Sequence, residues 1–335
     1  MNRSSSSPQQ SIAMNRKDTL FLFLIRYGIF VFFFFVYLAI AIYKPVFLHP
    51  ANVADIFLTS SLVSFVSFGL CIVIAAGGLD LSFPNIAGYG AMLSTYLMIE
   101  VGYPVWICIT AGIGVGIVIG LFNGLMVTRL YINSFIATLG TLFVLRGFLY
   151  WLTEGQSMQI LPESFEFLGI GTLLGVRLPV YFMAGVFVLC YLFMEKTRYG
   201  REITLVGGNI EACRFSGVNI RAITLLSFVI CGLLSPLSGM LQAASASVAA
   251  VDIGDRFMVP AFAAAMMGKV IFQGKNVIVG TLFGIVFVES LNNAANILGV
   301  SPEIRRVVPG LVLLATIVFN YYAIKAISEM RVKLF

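Results

Sequence analysis

The chain is predicted to be an all-α polytopic membrane protein with about ten transmembrane helices. Composition is the first reason, since 59% of residues are hydrophobic and only 11% are charged, against about 25% charged in soluble domains. The second is a series of long apolar stretches, each near the roughly 20 residues that cross a hydrocarbon core. The third is one densely charged stretch, 195–221, in which 8 of 27 residues are charged.

Eight uncharged stretches each predict one membrane-spanning helix. They are 27–43, 56–79, 81–99, 101–128, 130–145, 178–194, 222–251 and 307–324. Two more, 257–268 and 276–288, are too short to cross a bilayer alone. We interpret the first as a broken or tilted span and the second as a span interrupted by Glu289.

Charge distribution predicts the orientation, because Lys and Arg are retained on the cytoplasmic side. Ten spans with both termini in the cytoplasm place fifteen of the 21 basic residues inside. Residues 1–18 then form a disordered, Ser-rich cytoplasmic tail, 19–325 the transmembrane domain and 326–335 a cytoplasmic C-terminal tail. The charged stretch 195–221 is cytoplasmic, and the net charge of +6 is a topology signal that requires no nucleic acid partner.

Several chemistries are disfavoured by the residues present. One histidine, His49, and five isolated cysteines provide neither a metal cluster nor a catalytic triad, so we expect no metal site and no enzyme activity. The phosphate-binding pattern GxxxxGK[ST] is also absent. An ATP-driven machine would therefore need a separate ATPase subunit to bind ATP and Mg, and no cofactor is expected on this chain.

Glycines recur every four residues on the fourth predicted span. This spacing places them on one helix face, where they let another helix approach closely in the absence of a hydrophobic drive from lipid. The stripe predicts helix packing. Its members are Gly112, Gly116, Gly120 and Gly124.

Two segments share an acidic residue followed by a proline at the start of an apolar stretch. Asp80 precedes Pro84, and Asp255 precedes Pro260. Helix capping by Asp80 or Ser82 accounts for the first, with the proline in the first helical turn. The alternative is that two halves of the chain are related repeats with broken helices, as in many transporters.

Polar residues at membrane depth are expected to face protein or a water-filled path. For Arg146 we favour a structural ion pair, or snorkelling toward the interface, over contact with substrate. Glu289 fits either structural pairing or lining of a pathway. Asn292 and Asn296, four residues apart, share a helix face; with Asn293 they either hydrogen-bond a neighbouring helix or line a passage for a polyol.

Four motifs occur in a fixed order along the chain. They are GGLDLS at 77–82, NGLMVTRLYINSFIATLGTLFVLRG at 123–147, GGNIEACRFSGVNI at 207–220 and GTLFGIVFVESLNNAANILGVSP at 280–302. Together they resemble the permease subunits of ATP-binding-cassette importers of the ribose, xylose and galactose type, a group that includes autoinducer-2 permeases. The resemblance covers most of residues 20–325. In its first motif the matched residues are Gly77, Gly78, Asp80 and Ser82.

The resemblance implies a role for the stretch 195–221. In these importers the corresponding cytoplasmic segment forms a short coupling helix that docks on the ATPase subunit and transmits its closure to the membrane. Here Glu211 and Arg214, three residues apart, can pair across a turn, and Gly217 can end the helix. The residues that match this segment are Asn209, Glu211, Ala212, Arg214, Ser216 and Gly217.

The same resemblance implies the partners and the location. The partners are an ATPase subunit, an extracytoplasmic sugar-binding protein and a second permease protomer, either an identical copy or a paralogue, within the lipid bilayer of a prokaryotic inner membrane. The chain departs from the family pattern at Phe83-Pro84, at Lys269 and Lys275, and at Glu289, where the family has a small residue.

Two alternatives stay open. One is a permease of the branched-chain amino-acid importers, which share a related fold. The other is a secondary transporter driven by a proton or sodium gradient, with Glu289 or Asp80 carrying the charge.

Overall fold

The computed structural model describes residues 33–159, 161–271, 276–318 and 321, which form helices joined by short links. In chain order the helices are α1 Phe33–Tyr43, α2 Pro50–Ala75, α3 Phe83–Ile99, α4 Val105–Arg129, α5 Ser134–Thr153, α6 Glu163–Ile170, α7 Leu178–Lys196, α8 Arg198–Gly208, α9 Ile210–Phe215, α10 Ile220–Ala246, α11 Met258–Ile271, α12 Val277–Ile297, α13 Pro302–Arg305 and α14 307–318. Two-residue strands lie at β1 Met158–Gln159, β2 Thr172–Leu173, β3 Val176–Arg177 and β4 Val248–Ala249.

Six of these helices are long and apolar enough to cross a membrane: α2, α4, α5, α7, α10 and α12. The predicted class of a helical, polytopic membrane protein is confirmed at this level. The predicted tails, 1–18 and 326–335, lie outside the described residues.

Helix α10 occupies the centre and packs against α2, α3, α4 and α6. Its contact with α4 is close because glycines meet there. A methyl group added at Gly116 would overlap the carbonyl oxygen of Gly232, and one at Gly232 would overlap that of Gly116. Methyl groups at Gly112, Gly120 and Gly124 would each lie 2.5 Å from an atom of α3 or α10. The glycine face of α4 therefore lies against its two neighbours.

Helix α12 corrects one expectation. The stretch predicted to be interrupted at Glu289 is a continuous helix of 21 residues. A single carboxylate leaves the backbone hydrogen bonds of a helix intact, so the charge ends the apolar run without ending the helix. By contrast α11 extends over 14 described residues and follows a 3₁₀ turn, Ile253–Phe257.

The molecule has two distinct ends. At one end, the C-terminal turn of α8 contacts Gly77 in the link 76–82 between α2 and α3, and α9 packs on α8. At the other, β1 pairs antiparallel with β4, with Met158 opposite Ala249, and α6 packs on α10. From β4 the chain turns back: a methyl group at Gly254 would overlap the carbonyl oxygen of Pro84, in the first turn of α3.

Candidate functional site

The charged stretch 195–221 folds largely as two short helices, α8 and α9, between α7 and α10. The N-terminus of each of these helices is capped by a side chain that satisfies a free backbone N–H group. Thr197 accepts from the N–H of Gly200 at the start of α8, at 3.2 Å. Asn209 accepts from the N–H of Ala212 at the start of α9, at 3.0 Å. This polar segment therefore folds as two capped helices.

Helix α9 is closed at its other end by a turn. The Ser216 hydroxyl donates to the carbonyl oxygen of Ala212 at 2.9 Å, and Gly217 has a φ of +71°. Glycine adopts this left-handed conformation without strain and ends helices for that reason. The Val218 N–H then reaches back to the carbonyl oxygen of Cys213 at 3.2 Å. Four of the six residues predicted to couple to an ATPase, Asn209, Ala212, Ser216 and Gly217, thus shape the helix itself.

The other two, Glu211 and Arg214, form an ion pair with 3.1 Å between Oε1 and Nη1. Both side chains are exposed, so the pair stabilises the fold by only about 0.2–1 kcal/mol. Their charges are available to a partner protein.

Phe215, the last residue of α9, is the functional candidate that sequence reasoning missed. Its side chain is 91% exposed, next to the ion pair of Glu211 and Arg214. Large aromatic side chains are the usual anchors of protein interfaces. The signal in the sequence is a phenylalanine in a polar stretch, just before the Ser-Gly turn.

Helix α8 connects α9 to the membrane helices. Ile203 and Val206 are buried, and a methyl group at Gly207 would overlap the carbonyl oxygen of Ala75, the last residue of α2. Gly77, with a φ of +83°, turns the chain at the same contact. The motifs at 77–82 and 207–220 are thus brought into direct backbone contact.

On the outer surface of α8, Arg198 donates to the carboxylate of Glu202 at 2.6 Å. This hydrogen bond, together with the negative charge of Glu202, raises the pKa of the Arg198 guanidinium. The pair is one helical turn apart and strengthens α8 locally.

The carboxylate of Asp80 is buried within the link 76–82. One oxygen of Asp80 accepts from the backbone N–H of Ser82 at 2.8 Å and from its hydroxyl at 2.6 Å. The expected cap on α3 has a different form: the Ser82 side chain makes no capping bond, and Pro84 lies in the first turn. Asp80 therefore fixes the link, and it also interacts with the backbone N–H of Phe83, the first residue of α3.

Hydrogen bonds join the link 76–82 to α4 and α5. The Asn123 amide donates to the Ser82 hydroxyl at 2.8 Å, and the Thr141 hydroxyl donates to the Asn123 oxygen at 2.6 Å. The N–H groups of Leu79 and Leu81 donate to the hydroxyls of Ser134 and Thr138 on α5, respectively. The motif at 123–147 is thus hydrogen-bonded to the motif at 77–82.

Arg146 on α5 forms an ion pair with Asp255, with 2.8 Å between Nη2 and Oδ2. The two side chains are 44% and 41% exposed. The predicted pairing of Arg146 is present, and its partner is the acidic residue of the second Asp–Pro segment. The two similar segments therefore use their carboxylates differently.

The polar residues of α12 contact neighbouring elements. Asn293 exchanges two hydrogen bonds of 2.9 Å with Asn52 on α2, and Asn296 accepts from Arg305 at 2.7 Å. Glu289 interacts with Asn292 and with Thr59 on α2. The pairs of Asn293 and Asn296 are contacts between elements of the fold. Within the described residues, no group of three metal-binding side chains occurs.

Comparison with known proteins identifies the family. A family model described as the permease component of branched-chain amino acid transport systems matches residues 52–317. The chain belongs to this family. A permease component is a transport subunit and not an enzyme, and the multi-pass membrane architecture agrees with that.

Individual relatives extend over nearly the whole chain. The L-arabinose transport system permease protein AraH of Escherichia coli is 31% identical over 304 residues, covering 90% of this chain and 92% of its own length. The ribose import permease protein RbsC of Bacillus subtilis is 32% identical, covering 88% and 92%. The L-arabinose ABC transporter permease protein AraH of Azospirillum brasilense is 29% identical, covering 96% and 95%. The resemblance predicted from the four motifs is confirmed. No solved structure matches the chain.

Proposed function

We propose that this chain is the membrane-spanning permease of an ATP-driven sugar importer, carrying a monosaccharide or a furanose-like signal delivered by an extracytoplasmic binding protein. The observation that carries the proposal is the similarity, at 31–32% identity and over about nine-tenths of the chain, to permeases named for L-arabinose and ribose. It favours a sugar over a branched-chain amino acid and an ATP-driven importer over a gradient-driven carrier.

The proposed arrangement has ten spans and both termini in the cytoplasm of a prokaryotic cell, in the inner membrane. Helix α11, with 14 described residues, and the link 76–82 with its buried Asp80 are the broken elements of this arrangement. They correspond to the two Asp–Pro segments, which supports an internal repeat.

In the proposed mechanism, α9 docks in a groove of a separate ATPase subunit that binds ATP and Mg. Phe215 enters the groove, while Glu211 and Arg214 pair with charges at its rim. Movement of α9 passes through α8 to the link 76–82 at Gly207, and from there through the hydrogen bonds of Asp80 and Ser82 to α4 and α5. A second permease protomer completes the passage, and each bound ligand favours the conformation that it binds better.

Uptake into membrane vesicles tests the proposal. The chain is co-expressed with its ATPase and binding protein in a host that lacks arabinose and ribose uptake, and vesicles are loaded with ATP. We expect uptake of L-arabinose or D-ribose that requires ATP, persists with a protonophore and is not competed by leucine. Uptake abolished by the protonophore, or competed by leucine alone, would contradict it.

Substitutions on α9 are expected to stop uptake without unfolding the chain. Replacing Phe215 by alanine, or both Glu211 and Arg214 by alanine, removes exposed groups and should change stability by less than about 1 kcal/mol. Sugar uptake and stimulation of the ATPase should both be lost, because the docking surface is lost.

The matched control is Leu174→Ala, which removes another fully exposed apolar side chain near the opposite end. It should leave ATPase stimulation unchanged. Normal coupling in the Phe215→Ala variant would argue against docking through α9.

The isolated permease is expected to bind sugar weakly or not at all, because the binding protein supplies most of the selectivity. Isothermal titration of the purified chain with L-arabinose and D-ribose measures this. Micromolar binding would overturn the expectation.

A further inference from the structure

The Arg146–Asp255 ion pair lies at a depth where charges are not expected. Arg146 is twelve positions after the start of α5 and seven before its end, so it is about 18 Å along the helix from one end and about 10 Å from the other. Because the hydrocarbon core is about 30 Å thick, a membrane-spanning α5 carries this residue inside the core. Asp255 reaches the same depth because the chain turns back after β4 and packs Gly254 on Pro84.

The charges of the pair disfavour lipid as its neighbour. Each side chain remains more than 40% exposed, and an ionised group facing hydrocarbon is strongly disfavoured. Among the described residues, no neighbour covers α5 at Gly140 and Gly147, where a methyl group would meet no atom within 4 Å. On this open part of the helix, the charges of the pair favour water or another protein as their neighbour.

The chemistry at this position suits a sugar. Within the described residues, the only hydrogen bond of either side chain is the one that joins them. The remaining guanidinium N–H groups and the second carboxylate oxygen can thus donate to and accept from hydroxyl groups. Phe143 and Tyr150, both exposed, are one turn from Arg146 on the same helix, and aromatic rings pack against the C–H faces of sugar rings.

We propose that Arg146 and Asp255 line the water-filled passage and hydrogen-bond the hydroxyl groups of the sugar in transit, with Phe143 and Tyr150 beside them. The proposal rests on the sugar-importer function and deepens it by assigning the passage to this side of α5. The proposal requires only transient contact between these residues and the sugar, in agreement with the weak sugar binding expected of the isolated chain.

Accessibility of introduced cysteines to a membrane-impermeant, cationic methanethiosulfonate reagent tests the location. The five native cysteines are buried, so the parent chain provides a low background. We expect Tyr150→Cys and Asp255→Cys to be labelled in membrane vesicles. Leu189→Cys, on the exposed apolar side of α7, is the lipid-facing control and should stay unlabelled.

The Tyr150→Cys variant keeps the ion pair, so its result does not depend on whether a chain without the pair folds. If Tyr150→Cys and Asp255→Cys are both as unreactive as Leu189→Cys, the passage does not run along this side of α5 and the proposal is overturned. Labelling needs no sugar and no ATPase, so it gives its answer even where the proposed importer function fails.

Transport then separates contact with sugar from a purely structural pair. Arg146→Gln is expected to lower uptake of L-arabinose or D-ribose about tenfold or more, since a charge-assisted hydrogen bond is lost. The exchange Arg146→Asp with Asp255→Arg should restore the unfolding temperature in detergent but not the uptake. Recovery of both by the exchanged pair would show that the two residues act only on each other.

Discussion

Replacing Gly207 by alanine is expected to abolish sugar uptake while the neighbouring replacement, Gly208→Ala, leaves it nearly unchanged. A methyl group at Gly207 would overlap the backbone carbonyl of Ala75, whereas one at Gly208 would meet no atom within 4 Å. A backbone carbonyl at the end of α2 cannot move aside as a flexible side chain does. The C-terminal turn of α8 must therefore shift away from the link 76–82.

The measurements are uptake, ATPase stimulation and unfolding temperature of the assembled transporter. Overpacking of this kind destabilises by about 1–3 kcal/mol, so the variant should remain folded. We expect the ATPase to stay bound through α9 and to hydrolyse ATP without driving uptake. Full uptake in the Gly207→Ala variant would show that force does not pass through this contact.

The second large effect is expected at the contact of α4 with α10. Gly116→Leu places a branched side chain against the carbonyl oxygen of Gly232, and the two helices cannot separate without exposing the buried surfaces of both. We expect a loss of about 3 kcal/mol or more, at the upper end of overpacking effects. The variant should give little monodisperse protein after extraction in detergent.

Gly114→Leu is the matched control, because Gly114 lies on the same helix and a methyl group there would meet no atom within 4 Å. Both changes alter helix propensity equally, so a difference between them reports packing alone. Equal yields and equal unfolding temperatures for the two variants would contradict the proposed role of the glycine face.

Much of the helical framework could be predicted from hydropathy, because a chain in a bilayer must satisfy its backbone hydrogen bonds within each span. The apolar stretches therefore correspond to helices such as α4 and α7. The ends were less accurate: α2 begins at Pro50, ahead of the charged Asp55 that bounded the stretch. The uncharged stretch 222–251 ends its helix at Ala246, because Ser247 adopts a φ of +54°.

The contacts of the candidate site depended on packing between distant segments. Asp80 and Ser82 were found as part of a motif, but their connection to Asn123 joins residues 41 positions apart. Asp255, 109 positions from Arg146, was noted only for its resemblance to Asp80. Apolar stretches and short motifs do not indicate which helices are neighbours. The Ser82–Asn123 and Arg146–Asp255 pairs therefore could not be predicted from the sequence.

The shortness of α11 has a consequence for how the protein is made. Its 14 residues extend about 21 Å, less than the hydrocarbon core of about 30 Å, so this segment is a poor substrate for insertion on its own. Helix α12 begins at Val277 and packs along α11. We therefore expect the two segments to enter the bilayer together, after both have left the ribosome.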